Sequence, residues 1–164
     1  MENLIEKIIE LFSTTTPKEI LVFLISMLPI LELRGSILAA GLLKMNFLST
    51  FIISVLGNIL PIPFILLFIK KIFILLKKTR LKKIVEKLET KALSKSEQIT
   101  KYGKWGLFLF VAIPLPGTGA WTGSLIAALL HMKFKHAIIS IFLGVIVAGL
   151  IMSLISFGII KPII

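Results

Sequence analysis

The chain has 164 residues, of which 57% are hydrophobic, and its mean hydropathy is +1.02. A soluble domain of this length cannot bury so much apolar side chain, so the composition predicts an integral membrane protein. The formal net charge is +11, but residues 70–104 alone contain twelve Lys/Arg against three Glu. The positive charge is therefore concentrated in one segment, and no nucleic-acid-binding module accompanies it.

The first third of the chain contains three predicted elements. Residues 1–14 place apolar side chains at spacings of three and four, which predicts an interfacial helix. Residues 20–43 are apolar but are interrupted in the middle by Pro29, Glu32, Arg34 and Gly35. Residues 46–69 form a cleaner span, about 36 Å long as a helix, which is enough to cross a membrane. Asn58, Pro61 and Pro63 predict a kink near its far end.

The remaining chain begins with the basic segment 70–104, where an apolar stripe at helical spacing is surrounded by lysines. This pattern predicts an amphipathic cytoplasmic helix on a membrane surface, with basic side chains that contact anionic headgroups: Lys77, Lys78, Arg80, Lys82 and Lys83. Residues 105–130 are apolar and again broken centrally, at 114–119. Residues 137–160 are a second clean transmembrane span.

Part of the sequence occurs twice. Residues 35–47 return as 123–134 with eight identities in twelve aligned positions when Gly41 is skipped. The match continues more weakly, pairing Gly57 with Gly144 and Leu28-Pro29 with Leu115-Pro116. We therefore divide the chain into a first half, 1–69, a basic segment, 70–104, and a second half, 105–164. A duplicated half in a membrane protein is typical of transporters.

The two broken segments allow two topologies. Each either crosses the membrane as a kinked helix or enters and returns as a re-entrant hairpin, whose irregular backbone is tolerable when it is buried in protein or lines a wet cavity. Cytoplasmic loops carry the Lys/Arg excess, which assigns residues 70–104 to the inside. Hairpins then leave fourteen basic residues inside, four outside and Arg34 in the membrane, a better distribution than full crossings give. The favoured fold is all-α, with an inverted repeat of re-entrant hairpin plus transmembrane helix.

Glu32 and Arg34 are the charges nearest the middle of an apolar segment. Such groups are costly in a membrane unless they are paired or wet, and they are functional candidates for that reason. On the extended backbone that Pro29 favours, the two side chains would share a face and could pair locally. One interpretation is a structural ion pair. In the other, Arg34 binds an anion and Glu32 carries a proton or a cation.

The second broken segment is uncharged and rich in small and hydrogen-bonding residues. Glycines allow backbone amides to approach a ligand, and a helix that starts there would direct its positive N-terminus inward. The candidate binding residues are Gly35 in the first half and a run in the second: Pro116, Gly117, Thr118, Gly119, Trp121 and Thr122. The alternative is that Gly-Thr-Gly permits only a tight turn and close packing, which is also our preferred interpretation of the two Gly-Ser pairs, at 35–36 and 123–124.

The sequence contains no recognisable catalytic or cofactor set. Asp and Cys are both absent, which excludes a Ser-His-Asp triad, disulfides and thiolate metal sites. Metal-ligand clusters are missing as well. We therefore expect neither an enzyme nor a bound cofactor.

The motifs Leu28-Pro-Ile-Leu-Glu-Leu-Arg-Gly-Ser36 and Pro114-Leu-Pro-Gly-Thr-Gly-Ala-Trp-Thr-Gly123 resemble those of the bacterial and archaeal small multidrug export proteins. That family is similar in predicted architecture to the DedA and SNARE-associated Golgi (VTT) group. The resemblance implies two opposed re-entrant hairpins and a lipid or small-molecule transporter or scramblase. It also matches Glu32 to the hairpin acid and Arg34 to the arginine that follows it. DedA proteins carry further acids and arginines in their second half, which this chain lacks at 114–123.

These observations predict a multi-pass protein of a prokaryotic cytoplasmic membrane that moves an anionic, phosphate-bearing lipid such as a polyprenyl phosphate. In this hypothesis Arg34 and the loop amides bind the headgroup, Glu32 couples transport to protons, and two copies form a homodimer. One alternative is a proton-coupled exporter of cationic compounds. The other is a scaffold or assembly factor that transports nothing and binds through its basic helix.

Overall fold

The computed structural model describes residues 2–12, 16–115 and 117–160, and the regular structure of these residues is entirely α-helical. Ten helices follow one another in the described part of the chain: α1 (Glu2–Phe12), α2 (Lys18–Met27), α3 (Glu32–Leu42), α4 (Phe47–Ile59), α5 (Ile62–Lys77), α6 (Lys82–Leu93), α7 (Glu97–Tyr102), α8 (Lys104–Ala112), α9 (Ala120–Leu129) and α10 (Phe134–Ile160).

Two stretches are long and apolar enough to cross a membrane. The first is Phe47–Lys77, with 31 residues, and the second is Phe134–Gly158, with 25 residues. The predicted kink in the first is confirmed, because α4 ends at Ile59 and α5 begins at Ile62. Pro61 lies in this joint, where a residue without a backbone N–H interrupts helical hydrogen bonding. The helix itself continues past residue 69, the predicted end of the span, to Lys77.

Both broken segments are interrupted near their middle, although of the residues predicted to interrupt the first, only Pro29 lies in the break. The segment 20–43 forms α2 and α3, which we call the first helix pair, separated by the first break at residues 28–31. The segment 105–130 forms α8 and α9, the second helix pair, separated by the second break at residues 113–119. Helix α1 packs against α3, and its Ile5 is fully buried in the same core cluster as Leu21 and Ile25. The predicted interfacial helix therefore also contributes to the protein core.

The chain forms two compact units, and each long apolar stretch is divided between them. The first unit contains α1–α4 and the part of α10 from Val145 onward. The second contains α5–α9 and the part of α10 up to Gly144. These units are not the same segments as the predicted halves, which follow the repeat in the sequence.

In the first unit, α3 packs against α2 and brings the chain back to the start of α2. The Lys18 ammonium, on the first residue of α2, donates a hydrogen bond of 3.0 Å to the carbonyl oxygen of Leu43, which ends α3. These residues are 25 positions apart, and a continuous helix would separate them by about 38 Å. We call the place where Lys18 and Leu43 meet the open end of the first helix pair.

The repeat in the sequence has the same local structure in both copies. Lys44 and His131, which the repeat aligns, both adopt left-handed backbone, with φ of +53° and +57°. The N–H of the methionine that follows donates to the carbonyl oxygen five residues before it, at 3.0 Å in both copies. This is the Schellman pattern of helix termination. The second helix of each pair therefore ends in the same way before the next helix begins.

Two glycines that the repeat aligns also make the same contact. A Cβ atom on Gly57 would lie 2.7 Å from the carbonyl oxygen of Phe23 on α2, and one on Gly144 would lie 2.9 Å from that of Phe108 on α8. In each copy, the long helix thus approaches the backbone of the first helix in the pair. This approach requires a residue without a side chain.

The structure corrects one alignment within the repeat. Helices α2 and α8 are followed directly by Leu28 and Ile113, which both have extended backbone, with ψ of 132° and 118°. Each precedes a proline, which disfavours helical backbone in the residue before it. Leu28-Pro29 therefore corresponds to Ile113-Pro114, and the predicted pairing with Leu115-Pro116 is wrong by two positions.

We expect Gly57→Ala and Gly144→Ala each to lower the free energy of unfolding by about 1–3 kcal/mol, because the new methyl group overpacks a close helix contact. Gly158→Ala is the matched control on α10, because a Cβ there meets no atom within 4 Å. That control should be neutral or stabilising by up to about 1 kcal/mol. Denaturant titration of the protein in detergent micelles measures all three. Equal effects at Gly144 and Gly158 would contradict the packing role.

Candidate functional site

The first break places a buried acid and an accessible base on the first turn of α3. Glu32 is only 7% exposed, and its N–H donates to the carbonyl oxygen of Leu28 at 2.8 Å. Arg34 is half-buried and interacts electrostatically with Glu32. Gly35 is buried, and a Cβ atom on it would lie 2.6 Å from the Cβ of Leu31. The break therefore brings Glu32, Arg34 and Gly35 together.

The predicted extended backbone at Glu32 and Arg34 is wrong, because both residues belong to helix α3. Glu32 nevertheless has unusual backbone, with φ of +50°. Left-handed backbone costs a residue with a Cβ about 1–2 kcal/mol, and such strain clusters at functional sites. In addition, a carboxylate on the first turn is stabilised by the positive end of the helix dipole. The strained residue is also the buried acid.

The second break is closed by its own hydrogen bonds. Gly117 and Gly119 have φ of +79° and +127°, backbone that glycine adopts at little cost. The single hydroxyl donor of Thr118 is shared between the carbonyl oxygens of Ile113 at 2.9 Å and Leu115 at 2.8 Å. These contacts match the tight-turn interpretation of Gly-Thr-Gly, and they occupy the Thr118 hydroxyl. Pro116, another predicted site residue, lies outside the described residues.

Helix α9 begins directly after Gly119, so Trp121 and Thr122 lie on its first turn, and both are half-buried. Gly123 is buried, and a Cβ atom on it would lie 2.9 Å from Val111 and 3.2 Å from Leu107, both on α8. Gly123 therefore packs α9 against α8, as the sequence predicted, whereas the Ser124 hydroxyl donates to the carbonyl oxygen of Ala120 in its own helix.

A positive charge that the sequence did not predict there, the Lys95 ammonium, lies at the second break. The Lys95 ammonium donates a hydrogen bond of 2.8 Å to the carbonyl oxygen of Gly117. Lys95 lies between α6 and α7, and α6 packs against both α5 and α9. Twenty-two positions separate the two residues, and Lys95 is one lysine among many in the basic segment. No pattern in the sequence distinguishes it.

The apolar stripe of the basic segment is divided between the protein and its surroundings. Val85 and Ala92 are buried in the second unit, whereas Leu81, Ile84 and Leu88 are exposed. Ile84 and Leu88 line a shallow groove together with lysines 83, 87 and 91. Among the side chains predicted to contact lipid headgroups, Lys77 forms a 2.6 Å ion pair with Glu89, Lys82 lies 3.8 Å from Glu86, and the others are exposed: Lys78, Arg80 and Lys83.

Helix α4 carries a second polar feature that the sequence analysis did not single out. Thr50, Ser54 and Asn58 are four residues apart and fully buried, at 0%, 0% and 1% exposure, and we call them the α4 polar row. Their side-chain oxygens have no hydrogen-bond partner among the described residues. An unsatisfied buried polar group costs about 1–3 kcal/mol. The signal was present in the four-residue spacing, which places all three side chains on one helix face.

A comparison with known protein families assigns the chain to one of them. The family model described as "Putative small multi-drug export protein" matches residues 32–151, which is well over half of the sequence. The chain belongs to this family. The matched region of this small multi-drug export family member starts at Glu32 and includes Arg34, the second break and most of α10. Family membership and the two long apolar stretches together identify a membrane protein. No curated protein and no solved structure matched the chain.

We expect Lys95→Met to loosen the second break, because it removes the ammonium that donates to Gly117 while keeping an unbranched side chain. The amide hydrogens of Gly117 to Gly119 should exchange faster by about two- to tenfold, which corresponds to the loss of one exposed hydrogen bond. Lys91→Met, on the exposed face of α6, is the control and should leave this exchange unchanged. Exchange measured by mass spectrometry tests both, and identical exchange in the two variants would show that Lys95 does not hold the break.

Proposed function

We propose that the protein is a transporter that moves an anionic, phosphate-bearing lipid, such as a polyprenyl phosphate, across a prokaryotic cytoplasmic membrane. In this proposal Arg34 binds the headgroup and Glu32 couples movement to protons.

The different burial of Arg34 and Glu32 favours an anion as the ligand. Of the two charges at the first break, Arg34 is half-buried and therefore reachable, whereas Glu32 is almost completely buried. A ligand that arrives at this break meets the guanidinium before the carboxylate. Guanidinium groups bind phosphate through paired, charge-assisted hydrogen bonds, which makes a phosphate headgroup a fitting ligand.

The transport proposal includes a topology of two re-entrant hairpins. The contact between Lys18 and Leu43 supports this for the first helix pair, because a segment that returns to its starting point does not cross the membrane. For the second helix pair, the proposal rests on the repeat in the sequence and on the charge distribution, which favours opposite orientations of the two copies in the membrane. Such an inverted repeat is also what the resemblance to DedA proteins implies. We further propose a homodimer, because so small a bundle gains from a second copy when it shields two polar breaks.

A second candidate is a proton-coupled exporter of cationic compounds. The description of the family favours it, and so does the buried Glu32 carboxylate, which could bind a cation and exchange it for a proton. In that case Arg34 would modulate the carboxylate instead of binding the substrate. The two candidates therefore assign opposite roles to the same pair.

The proposed topology predicts which loops are accessible from each side. The chain has no cysteine, so single cysteines can be introduced without a background. With two hairpins, Lys44→Cys should be labelled by an impermeant maleimide only from outside, and Lys133→Cys only from the cytoplasm. Lys101→Cys is the cytoplasmic reference. Labelling of Lys133→Cys from outside would refute the hairpin at the second helix pair.

The choice of substrate is tested in liposomes that contain the purified protein. We expect Arg34→Gln to reduce the movement of a phosphate-bearing lipid by about tenfold or more, because a charged hydrogen bond contributes about 1.5–3 kcal/mol. Arg34→Lys, which keeps the charge but loses the paired geometry, should retain part of the activity. Glu32→Gln should abolish the response to a proton gradient.

The same variants distinguish the alternatives. If Arg34→Gln leaves lipid movement intact and cationic dye export is normal or higher, the cation exporter is correct. If wild-type protein moves neither lipid nor dye yet captures a protein partner through the basic segment, the chain is a scaffold. A matched Lys91→Gln variant controls for the general loss of one positive charge.

A further inference from the structure

The α4 polar row behaves differently from other buried hydroxyls in the same protein. A serine within a helix commonly donates to a carbonyl oxygen of the preceding turn. Ser26 does so to Phe23 at 2.6 Å, and Ser36 does so to Leu33 at 2.8 Å. Both are fully buried. The hydroxyls of the α4 polar row do not use this option, although their helix offers it at every position.

The fold itself does not require polar side chains at these positions. The repeat aligns α4 with α10 through Gly57 and Gly144, and the positions that correspond to the α4 polar row are Ala137, Ile141 and Val145. All three are buried, at 0%, 1% and 1% exposure. The second copy thus fills the same helix face with apolar side chains. Packing alone does not explain the three polar residues of the first copy.

Helix α10 adds two more buried hydroxyls in the first unit. Ser153 and Ser156 are 0% and 3% exposed, and their oxygens also have no hydrogen-bond partner among the described residues. Gly149 packs against Phe51 on α4, and the ring of Phe157 packs edge-on against that of Phe47 at 5.9 Å. Ser153 is four residues from both Gly149 and Phe157. It therefore lies on the face of α10 that packs against α4.

The α4 polar row leads from the open end of the first helix pair toward the level of Glu32. Thr50 is on the first turn of α4, just after the residues that join it to α3. Asn58 follows Gly57, which packs against the last turn of α2. The carbonyl oxygen of Leu28, at the end of α2, accepts the N–H of Glu32. From Thr50 to Asn58 the row advances eight positions, or about 12 Å along the helix axis.

We propose that bound water molecules lie along the α4 polar row and connect the open end of the first helix pair with the level of Glu32. Water both donates and accepts, so it satisfies hydroxyls as well as the Asn58 amide oxygen. Buried waters are normally held by two to four such polar groups. A single cation does not fit as well, because it contacts oxygens only within about 2.6 Å and the row is several times longer.

The bound waters rest on the proposed function in one respect only, namely that they deliver protons to Glu32. If Glu32 exchanges protons during transport, a row of waters that reaches its level supplies them from the open end. The presence of the waters is a separate matter, which can be measured without any transport.

The direct test is solid-state NMR of the labelled wild-type protein in lipid bilayers, with magnetisation transferred from water protons to side chains. Side-chain signals of Thr50, Ser54 and Asn58 should receive magnetisation from water at short mixing times. Ser36 is the matched control, because it is equally buried but bonded to its own helix. If the row receives water magnetisation no faster than Ser36, the inference is wrong. If the row signals shift only when sodium ions are added, a cation replaces water and the inference is also wrong.

A double variant, Thr50→Val with Ser54→Ala, tests the connection. It should abolish water transfer to the Asn58 side chain, whereas Ser36→Ala should leave that transfer unchanged. Persistent transfer to Asn58 in a folded double variant would overturn a continuous row. If the double variant does not fold, the wild-type measurement still decides.

Measuring transport by the double variant distinguishes the bound waters from the proposed function. Proton-coupled transport should slow by about tenfold in the double variant, as expected for the loss of about 1.4 kcal/mol. A dry row combined with Glu32-dependent transport would refute the waters and leave the transporter intact. A hydrated row in a protein that transports nothing would refute the proposed function and leave the waters intact.

Discussion

The structure depends on how two interruptions of helical hydrogen bonding are accommodated inside apolar segments. Backbone groups without partners are very costly in hydrocarbon, so each interruption needs local hydrogen bonds or contact with water. The first break uses the N–H of Glu32, which bonds to the end of α2. The second uses the Thr118 hydroxyl and the Lys95 ammonium, which together occupy three carbonyl oxygens.

The two copies of the repeat share backbone features but differ in their polar side chains. Both copies share the helix ending at Lys44 and His131 and the close contact at Gly57 and Gly144. Only the first copy carries charges on the helix after its break and a polar row on the helix that follows. The second copy obtains its charge from Lys95, outside the repeat.

Local signals made much of this fold predictable. Proline and glycine mark the helix breaks and the kink at Pro61, because their backbone preferences act on the nearest residues. The period of the apolar residues in the basic segment predicted a helix, but it did not reveal that Val85 faces the protein and Ile84 does not. The start of α3 at Glu32 was missed because the Pro29 break ends sooner than the sequence indicates. The contact of Lys95 with Gly117 joins distant residues through a flexible side chain, and no local pattern encodes it.

The division of the chain between two compact units has a consequence for the order in which the protein can fold. The second unit is a continuous stretch from Ile62 to Gly144, so all of its residues are available before α10 is complete. The first unit begins earlier in the chain but needs the end of α10, where Gly149 and Phe157 cover Phe51 and Phe47. During synthesis, the unit that contains Glu32 and the α4 polar row is therefore the last to close. Its polar interior remains uncovered until the final helix has been inserted.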